Sequence, residues 1–245
     1  MPAISAQYSY FDLKTGETNS VEIKKFNESP ILRSKVAAGE LLPVEERISE
    51  EPLVVKPVEE IGQYGGVWRR VYLGSSDIYG SYYLFPEHLI RHFYSPDRTR
   101  VFIVTNLAKD WEMSENGKTF TFYLREGMKW SDGAPFTADD FVFWYEDIVL
   151  NDELTTVRPG WLKAGGELGK LEKIDDYTVR FSFSTCYNVF VERLAGWGAP
   201  LVYAPKHCLK QFHPKYTSMN EINKMMKKES FTIWVDLFRN KATRL

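Results

Sequence analysis

The chain has 245 residues, of which 44% are hydrophobic and 15% aromatic, and its formal net charge is -2. This composition excludes extended disorder, and the nearly balanced charge creates no overall field that would recruit nucleic acid. No apolar run reaches the ~18 residues that span a bilayer, and the first residues lack the pattern of a secretory signal. The length allows one large domain or two modest ones.

The beginning of the chain mixes strand and helix patterns. Alternating residues on both sides of Thr15-Gly16 predict two strands joined by a turn. Residues 31–48 predict a short helix that ends near Gly39, and an acidic, proline-bounded connector follows at 49–60. This first part is predicted to be structural.

The next region predicts a strand and then a helix. Val67 to Leu73 has the pattern of a strand, and Pro86 suits the start of a helix. The buried stripe of that helix would consist of Leu89, Ile90 and Phe93. On it His88 and His92 would be four residues apart, the spacing at which two imidazoles can meet one metal, although no third ligand is evident.

Two hairpins frame the middle of the chain. Asn116-Gly117 is a strong turn signal because both residues tolerate positive φ. Alternation predicts strands within 118–125 and 169–184. The large side chains on their shared faces are Phe120, Phe122 and Leu124 in the first, and Tyr177, Val179, Phe181 and Phe183 in the second. Later helices are predicted at about 188–195, 219–228 and 231–239.

Residues 125–147 hold six carboxylates beside two tryptophans, which raises the question of a catalytic or metal-binding cluster. Thr137 is a preferred N-cap, and Asp140 three residues later completes a variant of the capping box. Phe136 and Phe141 have the spacing of a hydrophobic staple. These local roles favour an architectural function for the acids.

The alternative is a carbohydrate-active enzyme domain that uses Asp132, Asp139 and Asp140. A glycosidase needs two carboxylates held apart across the scissile bond. Asp139 and Asp140 project about 100° apart on a helix and make a poor pair. The D-x-D-x-D-G pattern of a calcium loop is also absent.

The remaining candidate groups stay open or have structural interpretations. Cys186 and Cys208 fit either one disulfide or two separate thiols. His207, Cys208 and His213 are interpreted as a polar loop. A third class of function, a stand-alone interaction domain that scaffolds a partner, also stays open.

The stretch LAKDWEMSENGKTFTFYLREGMKWSDGAPFTADDFVFWYED resembles the signature of family 5 solute-binding proteins of ABC importers, which include oligopeptide- and dipeptide-binding proteins. Matching residues recur at fixed spacing. They are Leu107, Ala108, Trp111, Gly117, Phe122, Leu124, Arg125, Gly127, Trp130, Asp132, Gly133, Thr137, Ala138 and Asp140. The similarity extends over most of residues 29–240.

The resemblance implies a mixed α/β fold of the type II periplasmic-binding-protein kind, in partial form. It implies a lead-in at 1–58, parts of lobe one at 59–78 and 184–245, and a small extra domain at 79–183 that carries the signature. Because family members are usually at least about twice as long, the chain is expected to be an N-terminal portion without the second lobe. Half a cleft encloses little of a ligand, so binding weaker than millimolar is expected of the chain alone.

The resemblance also implies where a ligand binds. The candidates lie in the loop GSSDIYGSYY and in AGWGAP, and they are Ser76, Asp77, Tyr79, Tyr82, Tyr83 and Trp197. Aromatic rings stack on sugars or pack against peptide side chains, and Ser and Asp supply oriented hydrogen bonds. The structural alternative makes Tyr82 and Tyr83 packing residues and Trp197 a core residue.

The function implied is capture of a peptide or an oligosaccharide between two lobes and delivery to a membrane permease, without catalysis. The high aromatic content slightly favours an oligosaccharide over a peptide as the ligand. The implied partners are that ligand and the permease, with no nucleic acid and no cofactor, and the protein is expected to be a monomer. The implied location is periplasmic or extracellular, with a lipid anchor on the full-length protein as one alternative.

Overall fold

The structure is a computed structural model that describes residues 6–12, 14–57, 59–67, 69, 71, 74, 87–196 and 199–243. It has a mixed α/β architecture of two compact units. The first unit takes its described residues from 1–109, 125–127 and 194–201, and the second comprises 110–124, 128–193 and the described part of 202–245. The division into a lead-in, lobe-one segments and a small extra domain stays a prediction.

The described elements are short strands and short helices. The strands are β1 (Ala6–Asp12), β2 (Glu17–Ile23), β3 (Val54–Val55), β4 (Ile90–Tyr94), β5 (Val101–Thr105), β6 (Ala108–Met113), β7 (Thr119–Leu124), β8 (Lys163–Ala164), β9 (Glu167–Leu168), β10 (Lys170–Asp175) and β11 (Thr178–Ser182). The α-helices are α1 (Pro30–Ala37), α2 (Val44–Arg47), α3 (Ala138–Val142), α4 (Phe190–Ala195), α5 (Lys206–Leu209), α6 (Met219–Lys228) and α7 (Trp234–Ala242). A π-helical stretch, Phe143–Val149, continues α3, and 3-10 turns occupy Gly160–Leu162 and Lys210–Phe212. No described helix has the length and apolar character needed to cross a bilayer.

A four-stranded sheet with the order β10-β11-β7-β6 forms the framework of the second unit. The two hairpins predicted from sequence are its outer pairs, and β11 joins them by pairing antiparallel with β7. The predicted inward face is confirmed for Phe120, Phe122, Leu124, Val179, Phe181 and Phe183, which are all buried. Tyr177, just before β11, is only half-buried. Alternation along each strand therefore determined which face of the sheet carries the core.

Helix α4 covers part of this apolar face. The Phe190 ring lies 5.0 Å from that of Phe120 and 5.1 Å from that of Phe181, measured between centroids. Phe183 lies 4.8 Å away in an edge-to-face arrangement, which is favourable for aromatic pairs. The predicted helices near 188–195, 219–228 and 231–239 correspond to α4, α6 and α7, although Phe231 precedes α7 and is only half-buried.

The first unit contains the N-terminal hairpin, in which β1 pairs antiparallel with β2 and parallel with β3. The predicted Thr-Gly turn is confirmed, with Gly16 at φ 77°. The Phe11 ring on β1 meets Phe102 on β5 at 5.1 Å between centroids. Helix α1 matches the predicted short helix, which ends before Gly39, and Ser29 caps its N-terminus.

The predicted helix after Pro86 is wrong for the residues that the structure describes. Ile90 to Tyr94 form β4, which pairs antiparallel with β5 from Ile90 opposite Thr105 to Tyr94 opposite Val101. A short apolar run fits both a helix and a strand, and here hydrogen bonds to a neighbouring strand decide the conformation. Pro86 itself lies outside the described residues.

The predicted strand from Val67 to Leu73 is not present at the positions that are described. Val67 and Val71 are 80% and 88% exposed, and Val67, Arg69 and Val71 all lie outside any strand. A strand requires a neighbour that takes up its backbone hydrogen bonds, and alternation in the sequence does not provide one. The rest of that segment lies outside the described residues.

Candidate functional site

The six predicted ligand-binding residues all lie outside the part of the chain that the structure describes. They are Ser76, Asp77, Tyr79, Tyr82, Tyr83 and Trp197. Their role stays a prediction. The described candidate is therefore the acidic stretch 125–147 with the segments that pack against it, and its geometry decides whether these carboxylates can do chemistry.

Asp132 forms the turn that leads into α3. Its Oδ1 accepts the backbone N–H of Ala134 at 3.0 Å, and Gly133 follows at φ 89°. Its Oδ2 lies 2.8 Å from Nε2 of His207. The hydrogen bond from Ala134, and then that from His207, lower the pKa of the Asp132 carboxyl. The Asp132 carboxylate therefore serves a tight turn.

Thr137 and Asp140 form the predicted capping box at the start of α3. The Thr137 side chain accepts the N–H of Asp139 at 3.3 Å, and Asp140 Oδ2 accepts the N–H of Thr137 at 3.1 Å. The Phe136 and Phe141 rings meet at 5.6 Å between centroids and complete the hydrophobic staple. Asp139 faces outward, 3.1 Å from the ammonium of Lys173.

Asp140 also links the helix start to two distant segments. It is only 3% exposed. Oδ2 accepts the indole N–H of Trp130 at 3.1 Å in addition to the capping bond, and Oδ1 accepts the backbone N–H of Lys206 at 3.0 Å. Its own carbonyl accepts the N–H of Ala204 at 3.1 Å. The sequence predicted the cap but gave no indication of the contacts near 204–206.

Burial raises the pKa of the Asp140 carboxyl, and the hydrogen bonds from Thr137, Lys206 and Trp130 oppose that rise. A raised pKa in an apolar surrounding is what a general acid of a glycosidase requires. Here, however, three N–H donors hold the two carboxylate oxygens. The neighbouring acid, Asp139, is ion-paired at the surface. The geometry therefore favours a structural role for Asp140, as a joint between the start of α3 and residues 204–206, over a catalytic pair of acid and base.

An aromatic cluster covers this joint. The Trp130 ring lies within 6.0 Å, between centroids, of Phe136, Tyr203 and His207. Tyr203 also meets Phe136 at 5.0 Å edge to face. The cluster fastens the loop before α3 to the chain that leads into α5.

Asp147 is the second buried acid of the stretch, with an exposure of 4%. Its Oδ1 accepts from the ammonium of Lys215 at 2.6 Å, and its Oδ2 accepts the hydroxyl of Tyr216. The hydrogen bond to Asp147 is the main cause that raises the pKa of Lys215, and burial raises that of Tyr216. Glu146, by contrast, lies half-exposed and 3.9 Å from the same ammonium.

His213 lies in the same core with an exposure of 3%, so its interpretation as part of a polar loop is wrong. Nδ1 accepts the backbone N–H of Lys215 at 3.2 Å, and Nε2 lies 3.2 Å from the carbonyl of Asp147. This pair of contacts selects the neutral ring with its proton on Nε2. The rings of Trp234 and Phe238 pack beside it at 5.3 and 5.9 Å between centroids.

The structure bears directly on a metal site at His88 and His92 and on the disulfide alternative. His92 lies on β4 and His88 precedes that strand, so the helical spacing on which a shared metal ion depended is absent. Among the described residues no three His, Cys, Asp or Glu side chains form a group that could hold a metal. Cys186 and Cys208 are both free thiols.

Comparison with known proteins shows to which family this framework belongs. The model for bacterial extracellular solute-binding proteins, family 5 middle, matches residues 103–231, which is more than half of the chain. The chain belongs to this family. The match begins within β5 and covers both hairpins, the acidic stretch and α6, so the predicted resemblance is confirmed on the elements that carry it.

Two relatives of this chain are named after the solutes that they bind. The chain is 34% identical over 218 residues to the periplasmic alpha-galactoside-binding protein of Rhizobium meliloti. That alignment covers 81% of this chain and 31% of the relative. It is 32% identical over 111 residues to the dipeptide-binding protein of Escherichia coli. That alignment covers 38% of this chain and 20% of the relative.

Two solved structures confirm the mixed α/β fold of type II periplasmic binding proteins. An oligopeptide-binding protein OppA is 48% identical with a TM-score of 0.78, over 90% of this chain and 33% of that chain. The periplasmic binding protein MelB of Agrobacterium fabrum C58, solved with stachyose, is 31% identical with a TM-score of 0.68, over 94% of this chain and 36% of that chain. This family member thus spans about a third of the length of these proteins.

Proposed function

We propose that this chain is part of the solute-binding component of an ABC importer, which captures an oligosaccharide or peptide between two lobes and delivers it to a membrane permease without catalysis. The observation that carries the proposal is the family match over residues 103–231. The periplasmic names of relatives support a periplasmic or extracellular location. We also propose that the protein acts as a monomer.

For the ligand we propose an oligosaccharide of the α-galactoside class. The alpha-galactoside-binding relative aligns with 81% of the chain, and MelB was solved with stachyose. The proposed site contains Tyr79, Tyr82, Tyr83 and Trp197, whose rings can stack on sugar faces. Ser76 and Asp77 would orient hydroxyl groups by hydrogen bonds.

A peptide is the second candidate ligand. It is favoured by the 48% identity to an oligopeptide-binding protein. The two ligand classes differ in what they require of the site. A peptide brings charged termini that need ionic partners, whereas an uncharged oligosaccharide depends on rings and hydroxyl-binding groups.

Nuclear magnetic resonance of the tryptophan indoles during titration tests these proposals. Stachyose should shift the Trp197 signal with a dissociation constant of about 1 mM or weaker, because this chain is expected to enclose little of the ligand. A tripeptide at the same concentration should leave that signal unchanged. Trp161→Phe, a change outside the proposed site, is the matched control for Trp197→Phe, which should abolish the response.

The outcomes separate the parts of the proposal. A response to the tripeptide alone would establish the second candidate. No response to either ligand at about twenty times that concentration would contradict the placement of the site. Micromolar binding would contradict the expectation that the chain encloses little of its ligand.

A further inference from the structure

The helical region 206–243 carries a positive charge that the rest of the chain lacks. It holds eight lysines and arginines against three carboxylates, a balance of +5. Because the whole chain has a net charge of -2, the other residues together carry -7. The near-neutral total therefore conceals a strong separation of charge along the sequence.

Some of these cations have structural partners. Lys215 is paired with Asp147 at 2.6 Å, and Lys241 is paired with Glu229 at 2.6 Å. Arg239 donates to the carbonyl of Leu154 at 3.0 Å. Each of these three groups has a role in holding the fold.

Four exposed lysines have no such role in the described part of the chain. No described carboxylate lies within 4.0 Å of the ammonium groups of Lys210, Lys224, Lys227 and Lys228. Lys224, Lys227 and Lys228 stand at i, i+3 and i+4 on α6 and thus share one side of the helix. Like charges at this spacing repel, although the helix dipole favours the two in the last turn.

The opposite side of α6 is anchored. Ile222 is fully buried, and Met225 and Met226 are half-buried beside it. The N–H of Phe231 closes the turn toward α7 by donating to the carbonyl of Met226 at 2.9 Å. The lysine face, defined as Lys224, Lys227 and Lys228, is therefore presented outward on a helix that cannot roll without exposing its core residues.

We propose that the lysine face binds the phosphate headgroups of an anionic membrane surface. A bilayer offers a planar array of phosphates to which several lysines can approach without specific pockets, and each one strengthens the association roughly fivefold. The attraction is screened over about 8 Å at physiological salt, so the contact is reversible. This interaction goes beyond solute capture and does not depend on the ligand.

Sedimentation with lipid vesicles tests the proposal on the 245-residue chain. The wild type should bind vesicles of equal phosphatidylglycerol and phosphatidylcholine at about 20 mM salt, and should be released at about 300 mM salt as screening increases. It should not bind vesicles of phosphatidylcholine alone. Lys224→Glu/Lys227→Glu/Lys228→Glu should weaken the binding about 100-fold.

The matched control reverses three exposed lysines elsewhere, Lys24→Glu/Lys25→Glu/Lys35→Glu, and so changes the net charge equally. It should retain wild-type binding within about threefold. The Lys→Gln triple variant at 224, 227 and 228 preserves helix formation and should still lose at least about 20-fold. Equal binding to both vesicle types, an equal loss in the control, or no binding at low salt would each overturn the proposal.

Discussion

At the scale of single residues, the two adjacent aspartates of α3 have different surroundings. Asp139 is half-exposed and pairs with Lys173, whereas Asp140 is buried and satisfies N–H donors from Thr137, Trp130 and Lys206. A salt bridge at the surface contributes little, but a buried acceptor that is removed leaves its donors unsatisfied. Two neighbouring aspartates are thus expected to differ sharply in their contribution to the free energy of unfolding.

Asp140→Ala should therefore lower the free energy of unfolding by about 2–4 kcal/mol, since three buried or part-buried N–H groups lose their acceptor. Asp139→Ala in the same helical turn should cost less than about 1 kcal/mol. Urea denaturation of both variants measures the difference. Equal losses would show that the hydrogen bonds of Asp140 do not hold the joint.

His213 makes stability depend on pH. Burial lowers the pKa of its ring below the ordinary value of 6.5, although Asp147 opposes the shift. The unfolded chain therefore binds a proton on this group at a pH where the folded chain does not. Stability that is present above pH 6.5 should be lost as the pH falls from that value through the lower folded pKa, by at most about 1.4 kcal/mol per pH unit.

The prediction is that wild type loses more of its free energy of unfolding than His213→Gln between pH 7.5 and pH 5.5, by at most about 1.4 kcal/mol, as measured by urea unfolding. His207→Gln is the control, because the half-exposed ring of His207 faces Asp132 and is not part of this core. It should retain the acid-dependent loss. An unchanged loss in His213→Gln would assign the pH dependence to another group.

At the scale of elements, close backbone approaches hold loops against their neighbours. Gly127 has a φ of 72°, and a Cβ atom there would lie 3.0 Å from the backbone nitrogen of Glu50. Next to it, Glu51 Oε2 accepts from the ammonium of Lys109 at 2.7 Å, and the Glu51 carbonyl accepts from Arg125. The connector before β3 is thus fastened to residues 125–127 of the same unit.

Gly127→Ala should consequently destabilise the protein by at least about 1 kcal/mol more than Gly133→Ala. Both glycines have positive φ, so both variants carry the left-handed penalty, but nothing lies within 4 Å of a Cβ at Gly133. Thermal unfolding of the two variants isolates the contact with Glu50. Identical shifts in Tm would mean that the connector moves aside without cost.

At the scale of the whole molecule, three carboxylates of the acidic stretch 125–147 are engaged in structure. Asp132 forms a turn, Asp140 a joint and Asp147 an ionic core contact, and the relatives are described as binding proteins. Both observations support the proposed binding function over the enzyme alternative.

We accordingly expect no release of nitrophenol from p-nitrophenyl α-galactoside above the rate in buffer, monitored by absorbance. Asp132→Asn is the informative variant because its exposed carboxylate can be changed with little effect on the core. A measurable rate that disappears in this variant while its circular dichroism stays unchanged would establish the enzyme alternative.

The sequence by itself determined the features that depend on near neighbours. The turns at Gly16 and Gly117, the inward faces of β7 and β11 and the cap at Thr137 all follow from residues within a few positions of one another. Periodicity and turn chemistry encode such features locally. The family signature rests on the same local elements, and the residues alone therefore carry it.

Only the tertiary structure decided the features that depend on distant partners. Ile90 to Tyr94 became a strand because β5 pairs with it, and Asp147 and His213 became core groups because segments 66 residues apart meet. No spacing within either segment signals that contact. Hydrogen bonding and burial between remote segments outweigh local propensity, and the sequence pattern does not state which segments will meet.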